Sequence, residues 1–284
     1  MPKKIAFLGP IGTYTDEASY LYAPSAERVP FASLGLVTSV LEEGNVDEAV
    51  VPIENSLGGT VIEVVDFLIA SEKSQIKGEF LLPIDHCLIT RPGVKLSDIR
   101  VVVSKQEALT QCRQFLAREL RFAEQVPATS TALAVVDLKE ADDRTAAIGP
   151  RRSAELAGLP VLAHGIQDRK NNVTRFAVLA SSGMPPSGSD KTTIAFDFDK
   201  PDAPGLVYGA MRPFADRGIN LTKIESRPTG TGMGNYIFLL DLEGHIDEPH
   251  VQQAITELQR HTSTFKVLGA YPRAEGMSVR QLDE

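Results

Sequence analysis

The chain has 284 residues, 43% hydrophobic and 23% charged, which suits two domains with real hydrophobic cores. Its formal net charge of −8, from 29 basic and 37 acidic residues, argues against nucleic acid and against an anionic membrane surface as partners. If the ligand is an anion, positive charge has to be supplied locally. The apolar stretch VIEVVDFLIA carries two acids and spans no membrane, and the run after MPKK is too short for a signal peptide. Two cysteines, Cys87 and Cys112, lack CxxC spacing and read as buried thiols in a reducing cytoplasm. The five histidines show no metal-ligand spacing, so neither a metal nor a cofactor is expected, nor a histidine-dependent triad.

Taken in chain order, KIAFLG reads as a buried strand and TDEASYLYA as a helix. EAVVPI, RVVVS and AAIG are further strands, each followed by a helix: TVIEVVDFLIAS, KQEALTQCRQFLARE and RRSAELAG. Such alternation predicts a parallel sheet with helices on both faces. Residues 76–90, IKGEFLLPIDHCLIT, form a long extended piece that suits a crossover between two lobes, with the chain returning to the first lobe near residue 170. The small, polar, proline-rich SSGMPPSGSD (181–190) marks a domain boundary. Beyond it lie the strand KTTIAFDF, a helix from Pro204 to Gly218, the strands INLTKIESRP and NYIFLLDLEG, the helix PHVQQAITELQRH and the strand FKVLGAYP. That order is ferredoxin-like βαββαβ. The expected fold is therefore α/β: a two-lobed doubly wound domain over 1–182, like a periplasmic binding protein, then a ferredoxin-like domain over 190–273. The second domain contains no nucleophile–base set and is expected to regulate or dimerise.

Four junctions in the first domain place hydroxyl, amide or glycine residues at the start of a helix: GPIGTYT (9–15), PIENSLGGT (52–60), SKQEALTQC (104–112) and ATSTA (128–132). In a doubly wound sheet such turns gather at the carboxyl ends of the strands, where free backbone N–H groups suit an anion. Singly, each is explained by capping; Thr60 with Glu63 and Ser104 with Glu107 fit capping boxes. GPIGTYT lacks the lysine of a phosphate loop. A fifth stretch, NNVTRF (171–176), sets an arginine where the chain re-enters the first lobe. Taken alone, Arg175 is a salt-bridge partner, for instance of Glu54, Thr174 a strand residue and Asn171–Asn172 a turn.

Together, GPIGTYT, VPIENSLGGTV, SKQEALTQC, Ser130–Thr131, AAIG and above all NVTRF resemble the prephenate dehydratase family, in its order and spacing. GINLTKIESRP resembles the ACT regulatory domain that follows it in that family. The resemblance runs from residue 3 to about residue 272, and with no chorismate-mutase bundle before residue 1 it points to the monofunctional form. It implies a carbon–oxygen lyase of L-phenylalanine biosynthesis that turns prephenate into phenylpyruvate without a cofactor. Thr174 would be the catalytic hydroxyl with Arg175 beside it; Thr13, Asn55, Ser56, Ser104, Gln111, Ser130, Thr131, Asn172 and Phe176 would line the substrate site. The chemistry adds the expectation that Arg175 clamps the retained pyruvyl carboxylate, while the ring carboxylate meets neutral donors such as Asn55 and Ser56. L-Phenylalanine would bind between subunits at Gly205, Leu206, Val207, Asn220, Glu225, Ser226, Arg227 and Pro228, in a homodimer or homotetramer. Leu206 stands where the family has alanine and would tighten that pocket. Two other readings remain: an arogenate dehydratase, which an acid such as Glu54 near the pyruvyl end would favour, and a non-catalytic two-lobed binding protein.

Overall fold

The computed structural model describes residues 2–198, 203–229 and 235–274. The chain begins with β1 (Lys4–Leu8), α1 (Tyr14–Tyr22), β2 (Glu27–Phe31), α2 (Leu34–Glu42), β3 (Glu48–Asn55), β4 (Gly59–Thr60), α3 (Ile62–Ala70) and β5 (Gln75–Pro83). It crosses to a second lobe made of β6 (Cys87–Ile89), β7 (Val101–Lys105), α4 (Gln106–Gln111), α5 (Arg113–Glu119), β8 (Glu124–Ala128), α6 (Thr131–Asp137), β9 (Thr145–Gly149), α7 (Arg151–Ala157) and β10 (Val161–Ala163). β11 (Val173–Ala180) returns to the first lobe. The C-terminal unit follows as β12 (Asp190–Phe196), α8 (Leu206–Ala215), β13 (Leu221–Pro228), β14 (Tyr236–Glu243), α9 (Pro249–Gln259) and β15 (Phe265–Pro272).

The second lobe is a five-stranded sheet ordered β10-β6-β9-β7-β8. The first lobe contributes β2-β1-β3-β11-β5 to a larger sheet, and the C-terminal unit contributes β15-β12-β14-β13 to the same one. The two units are therefore not separate sheets joined by a linker. β15 runs parallel to β5 at a seam where Gly269 pairs with Ile76, and any Cβ at Gly269 would overlap the Ile76 carbonyl. Glycine permits that approach. One apolar core spans the seam: Val64, Val65 and Leu68 of α3 pack with Ala195, Leu239, Leu268 and Tyr271 of the C-terminal strands. The opposite face of those strands is covered by α8 and α9 through Phe196, Leu240, Phe214 and Leu258.

Between Ala180 and Asp190 there is no helix or strand, as its composition suggests, yet the segment is tied down. Asp190 accepts from Ser187 N–H and Oγ and from Gly188 N–H, and the His245 ring meets the Met184 carbonyl. The helix expected across 105–119 is in fact two, broken at Cys112. Asp168 explains the break: its N–H donates to the Gln111 carbonyl and its carboxylate accepts the Gln114 N–H of the next helix. The break leaves Gln111 at a helix end facing the two crossovers. β2, α2 and β8 have no counterpart in the sequence reading. β2 and β8 are half-exposed edge strands containing proline, without the apolar run that marks a buried strand.

Candidate functional site

Two segments connect the lobes, residues 84–86 and 164–172, and the polar residues that meet there come from both lobes. On β3 and β11, Asn55 pairs with Thr174 and Glu54 with Arg175. Side chains alternate across a strand, so Thr174 and Arg175 must face opposite sides of the sheet. Thr174 lies on the side of Phe176 and α1, at the carboxyl end of β3; Arg175 lies on the side of the C-terminal strands.

Around Thr174 the hydrogen bonds form one directed chain. Asn55 Oδ1 accepts two backbone N–H groups, from Leu57 and Gly58, each at 2.9 Å. That fixes its amide: Nδ2 donates to Thr174 Oγ1 at 2.9 Å and to Asn172 Oδ1 at 2.8 Å. Asn172 Nδ2 then donates to Gln111 Oε1 at 3.1 Å, and the same oxygen meets His86 Nε2 at 2.9 Å. His86 Nδ1 meets the Tyr14 hydroxyl at 3.0 Å, and that hydroxyl also reaches the Asp85 carbonyl. Backbone N–H groups can only donate, so every amide downstream has one orientation. The Thr174 oxygen receives a hydrogen bond while its own proton has no acceptor among the described residues. Thr174 is thus presented to the cleft as a donor.

Beside this chain lies a cavity of about 290 Å³ lined by Leu57, Gln111, Arg113, Asp168, Arg169 and Asn172. Arg113 and Arg169 form no ion pair among the described residues. A second, more apolar opening of about 730 Å³ runs between the lobes past Pro10, Ile11, Phe31, Ser130 and Leu133.

The structure brings Thr174, Asn55, Asn172 and Gln111 together, with Ser56 at the edge, where its Oγ accepts the Val173 N–H and donates to the Asn171 carbonyl. Ser130 caps α6 and lines the second opening, Thr131 opens that helix half-buried, and Thr13 caps α1 while donating to the Pro10 carbonyl. Three expected positions are corrected. Ser104 is fully buried and bonded to the Ile148 carbonyl, a tie between β7 and β9. Phe176 is 1% exposed and stacks on Phe80 in the core under α1. Arg175 is no clamp for a ligand: its Nη1 lies 2.7 Å from Asp241 and 3.0 Å from Glu79, and its Nε lies 3.1 Å from Glu54. Burial alone would lower the pKa of that guanidinium, and the Asp241, Glu79 and Glu54 carboxylates more than offset it, so it stays charged. Glu54 also binds Lys223 of β13, in line with a structural role.

The sequence reading missed His86, Tyr14, Arg113 and Arg169. The signal for His86 was the polar IDH inside an otherwise apolar extended run. Burial pushes Cys87 up to about 11 and Cys112 up to about 12, so both stay as thiols at neutral pH.

In the C-terminal unit, β13 alternates in the same way. Lys223, Glu225 and Arg227 face the first lobe, where they meet Glu54, Thr60 and Asp66. Ser226 and Ile224 are exposed. Glu225 and Arg227 are therefore already engaged by the first lobe, whereas Ser226, Asn220 and Pro228 remain open to solvent. Gly205 takes the left-handed conformation at the start of α8, and Leu206 packs onto the core of this unit rather than into a ligand space. Val207 and Tyr208 are exposed there.

Comparison with known proteins places these features in a family. A family model described as prephenate dehydratase matches residues 5–183, and one described as ACT domain matches residues 200–260. A prephenate dehydratase of Mycolicibacterium smegmatis is 38% identical over 300 aligned positions, covering 100% of this chain and 95% of the relative. Among solved structures, a prephenate dehydratase from Arthrobacter aurescens in complex with L-Phe matches with a TM-score of 0.87 at 36% identity, covering 97% of this chain and 92% of that one. A chain described as a novel type of quorum quenching acylase matches with a TM-score of 0.86 at 28% identity, covering 96% and 99%.

Proposed function

The chain belongs to the prephenate dehydratase family, and on that premise we propose that it is a carbon–oxygen lyase converting prephenate to phenylpyruvate, feedback-regulated by L-phenylalanine through its ACT domain. One observation carries the catalytic reading: the Thr174 hydroxyl accepts from Asn55 and keeps its proton for the cleft. In the reaction the bond from the ring to its carboxylate breaks and releases carbon dioxide. The electron pair enters the ring, and the C–O bond at the opposite carbon breaks. The departing oxygen leaves as water once protonated, and the ring becomes aromatic. Hydroxide is a poor leaving group, so a donor held against it lowers the barrier. A threonine is too weak an acid at neutral pH to lose its proton outright. Its hydrogen bond tightens as the C–O bond breaks, with the proton delivered from water.

The same geometry speaks against an acyl-transfer enzyme on this fold. A nucleophilic threonine needs a base that accepts its proton, and the partner of Thr174 is an amide donor. It also weighs against arogenate as the preferred substrate, because Glu54 is turned away from the cleft toward Arg175 and Lys223. A homo-oligomer joined through ACT units is supported by the edge of β13, unpaired among the described residues, and by exposed Val207, Tyr208 and Ile224 next to the expected effector residues. The deciding experiment follows prephenate loss and phenylpyruvate formation by the purified full chain, with and without L-phenylalanine. A folded chain that leaves prephenate intact would overturn the catalytic reading; turnover indifferent to phenylalanine would overturn the regulatory one.

A further inference from the structure

His86 is 3% exposed and sits in the first crossover between the lobes, where the proposed reaction gives it no part. The directed amide chain settles what it does. Gln111 Oε1 already accepts from Asn172 Nδ2, whose orientation descends from the Leu57 and Gly58 N–H groups. The atom of Gln111 that meets His86 is therefore an acceptor, and His86 Nε2 must carry a hydrogen. Burial lowers the pKa of His86, so the ring is neutral near neutral pH and carries its one hydrogen on Nε2, while the Tyr14 hydroxyl beside Nδ1 donates to the Asp85 carbonyl. With its oxygen held by two N–H donors, Gln111 has to turn its NH₂ group the other way. That group has no partner among the described residues, and Gln111 lines the cavity that also holds Arg113 and Arg169.

We propose that His86 is a positioning residue that locks the Gln111 amide as a donor, and that Gln111 with Arg113 and Arg169 forms the subsite for the substrate carboxylate retained in the product. This rests on the prephenate reading. An unlocked glutamine could present its oxygen to the anion instead and repel it. The retained carboxylate keeps its charge throughout the reaction, so holding it tightly strengthens ground state and transition state alike and appears in KM. The ring carboxylate must lose its charge, and it is better placed near the neutral donors Asn55 and Thr174.

The test is steady-state kinetics on prephenate with the full chain. His86→Leu removes the N–H and should raise KM about 10-fold, the scale of one hydrogen bond to a charged group, with the change falling on KM rather than kcat. His86→Gln, which can return an N–H to the same place, should recover most of the loss. The double variant His86→Leu/Gln111→Ala should be no worse than Gln111→Ala alone, because His86 acts only through Gln111. An unchanged KM in the leucine variant, or additive losses in the double variant, would overturn the proposal. Should the leucine variant fail to fold, Gln111→Glu decides: it keeps the acceptor for His86 and replaces the cleft-facing NH₂ with oxygen, so KM must rise at least as much, and an unchanged KM refutes the subsite. A wild-type chain inactive on prephenate would sink the family activity instead, so the two failures are distinguishable.

Discussion

Asn55 and Thr174 face each other across β3 and β11, and the amide decides where the hydroxyl proton goes. Thr174→Ala should lower kcat about 100-fold or more, while Thr174→Ser retains much of the activity. Asn55→Asp asks a sharper question. The aspartate keeps an acceptor for the Leu57 and Gly58 N–H groups, so the turn should survive. It replaces the donor beside Thr174 with an acceptor, which captures the hydroxyl proton. This variant should lose as much kcat as Thr174→Ala with the hydroxyl still present, and circular dichroism should show it folded. Near-normal turnover in Asn55→Asp would mean that the direction of this hydrogen bond does not matter. Thr174, Asn55, Asn172 and Gln111 were named from the motifs of the resemblance, which are local stretches of chain, and the structure brings them together. Ser104 and Phe176 were misplaced for the same reason: a motif gives proximity along the chain, while burial is set by strands that arrive from elsewhere, here Ile148 of β9 and Phe80 of β5.

Strand alternation explains the largest revision, that of Arg175. Neighbours on β11 cannot both reach the cleft, so Thr174 serves the site and Arg175 the junction with the C-terminal strands. The period of two was present in VTRFAVLA, but the sequence could not say what would cover the second face. That cover is Asp241 of β14, 66 residues away, together with Glu79 of β5. Arg175 is 8% exposed, and Glu79 and Asp241 are equally enclosed, with side chains 4% exposed. Removing one partner of a buried ion cluster strands the others and costs about 3–5 kcal/mol. Arg175→Met should therefore lower stability by about that much in urea unfolding, and Arg175→Lys, which keeps the charge, by much less. A ligand clamp predicts the reverse pattern, with stability unchanged and KM sharply raised in both variants. The alternation of β13 carries the same lesson: ESRP reads as one motif, yet its glutamate and arginine face the first lobe and its serine faces solvent.

At the scale of the whole molecule, the continuous sheet changes how regulation can be tested. A chain cut near Ser187 would lose Asp241 and expose the apolar side of α3 together with the Glu79–Arg175 pair, so it should unfold or aggregate rather than report on feedback. The route between sites is better broken in the full chain. Ser226 is exposed on β13, and Val207 and Tyr208 are exposed at the start of α8, while Lys223 reaches from β13 to Glu54, the direct neighbour of Asn55. Glu54 in turn touches Arg175, the direct neighbour of Thr174. A shift of β13 when phenylalanine binds would thus move charges on the direct chain neighbours of Asn55 and Thr174. A ligand can act this way only by its different affinity for two arrangements, and the coupling is reciprocal. A coupling of about 1–3 kcal/mol would let phenylalanine and prephenate weaken each other by the same factor, about 5- to 150-fold. Lys223→Met removes the link without touching the cleft or the exposed face of β13. Phenylalanine should still bind this variant in calorimetry, and uninhibited turnover should stay near that of the wild type. The inhibitory concentration should rise by 10-fold or more, and the mutual weakening should fall toward one. If Lys223→Met is inhibited as strongly as the wild type, the signal does not pass through the Lys223–Glu54 contact.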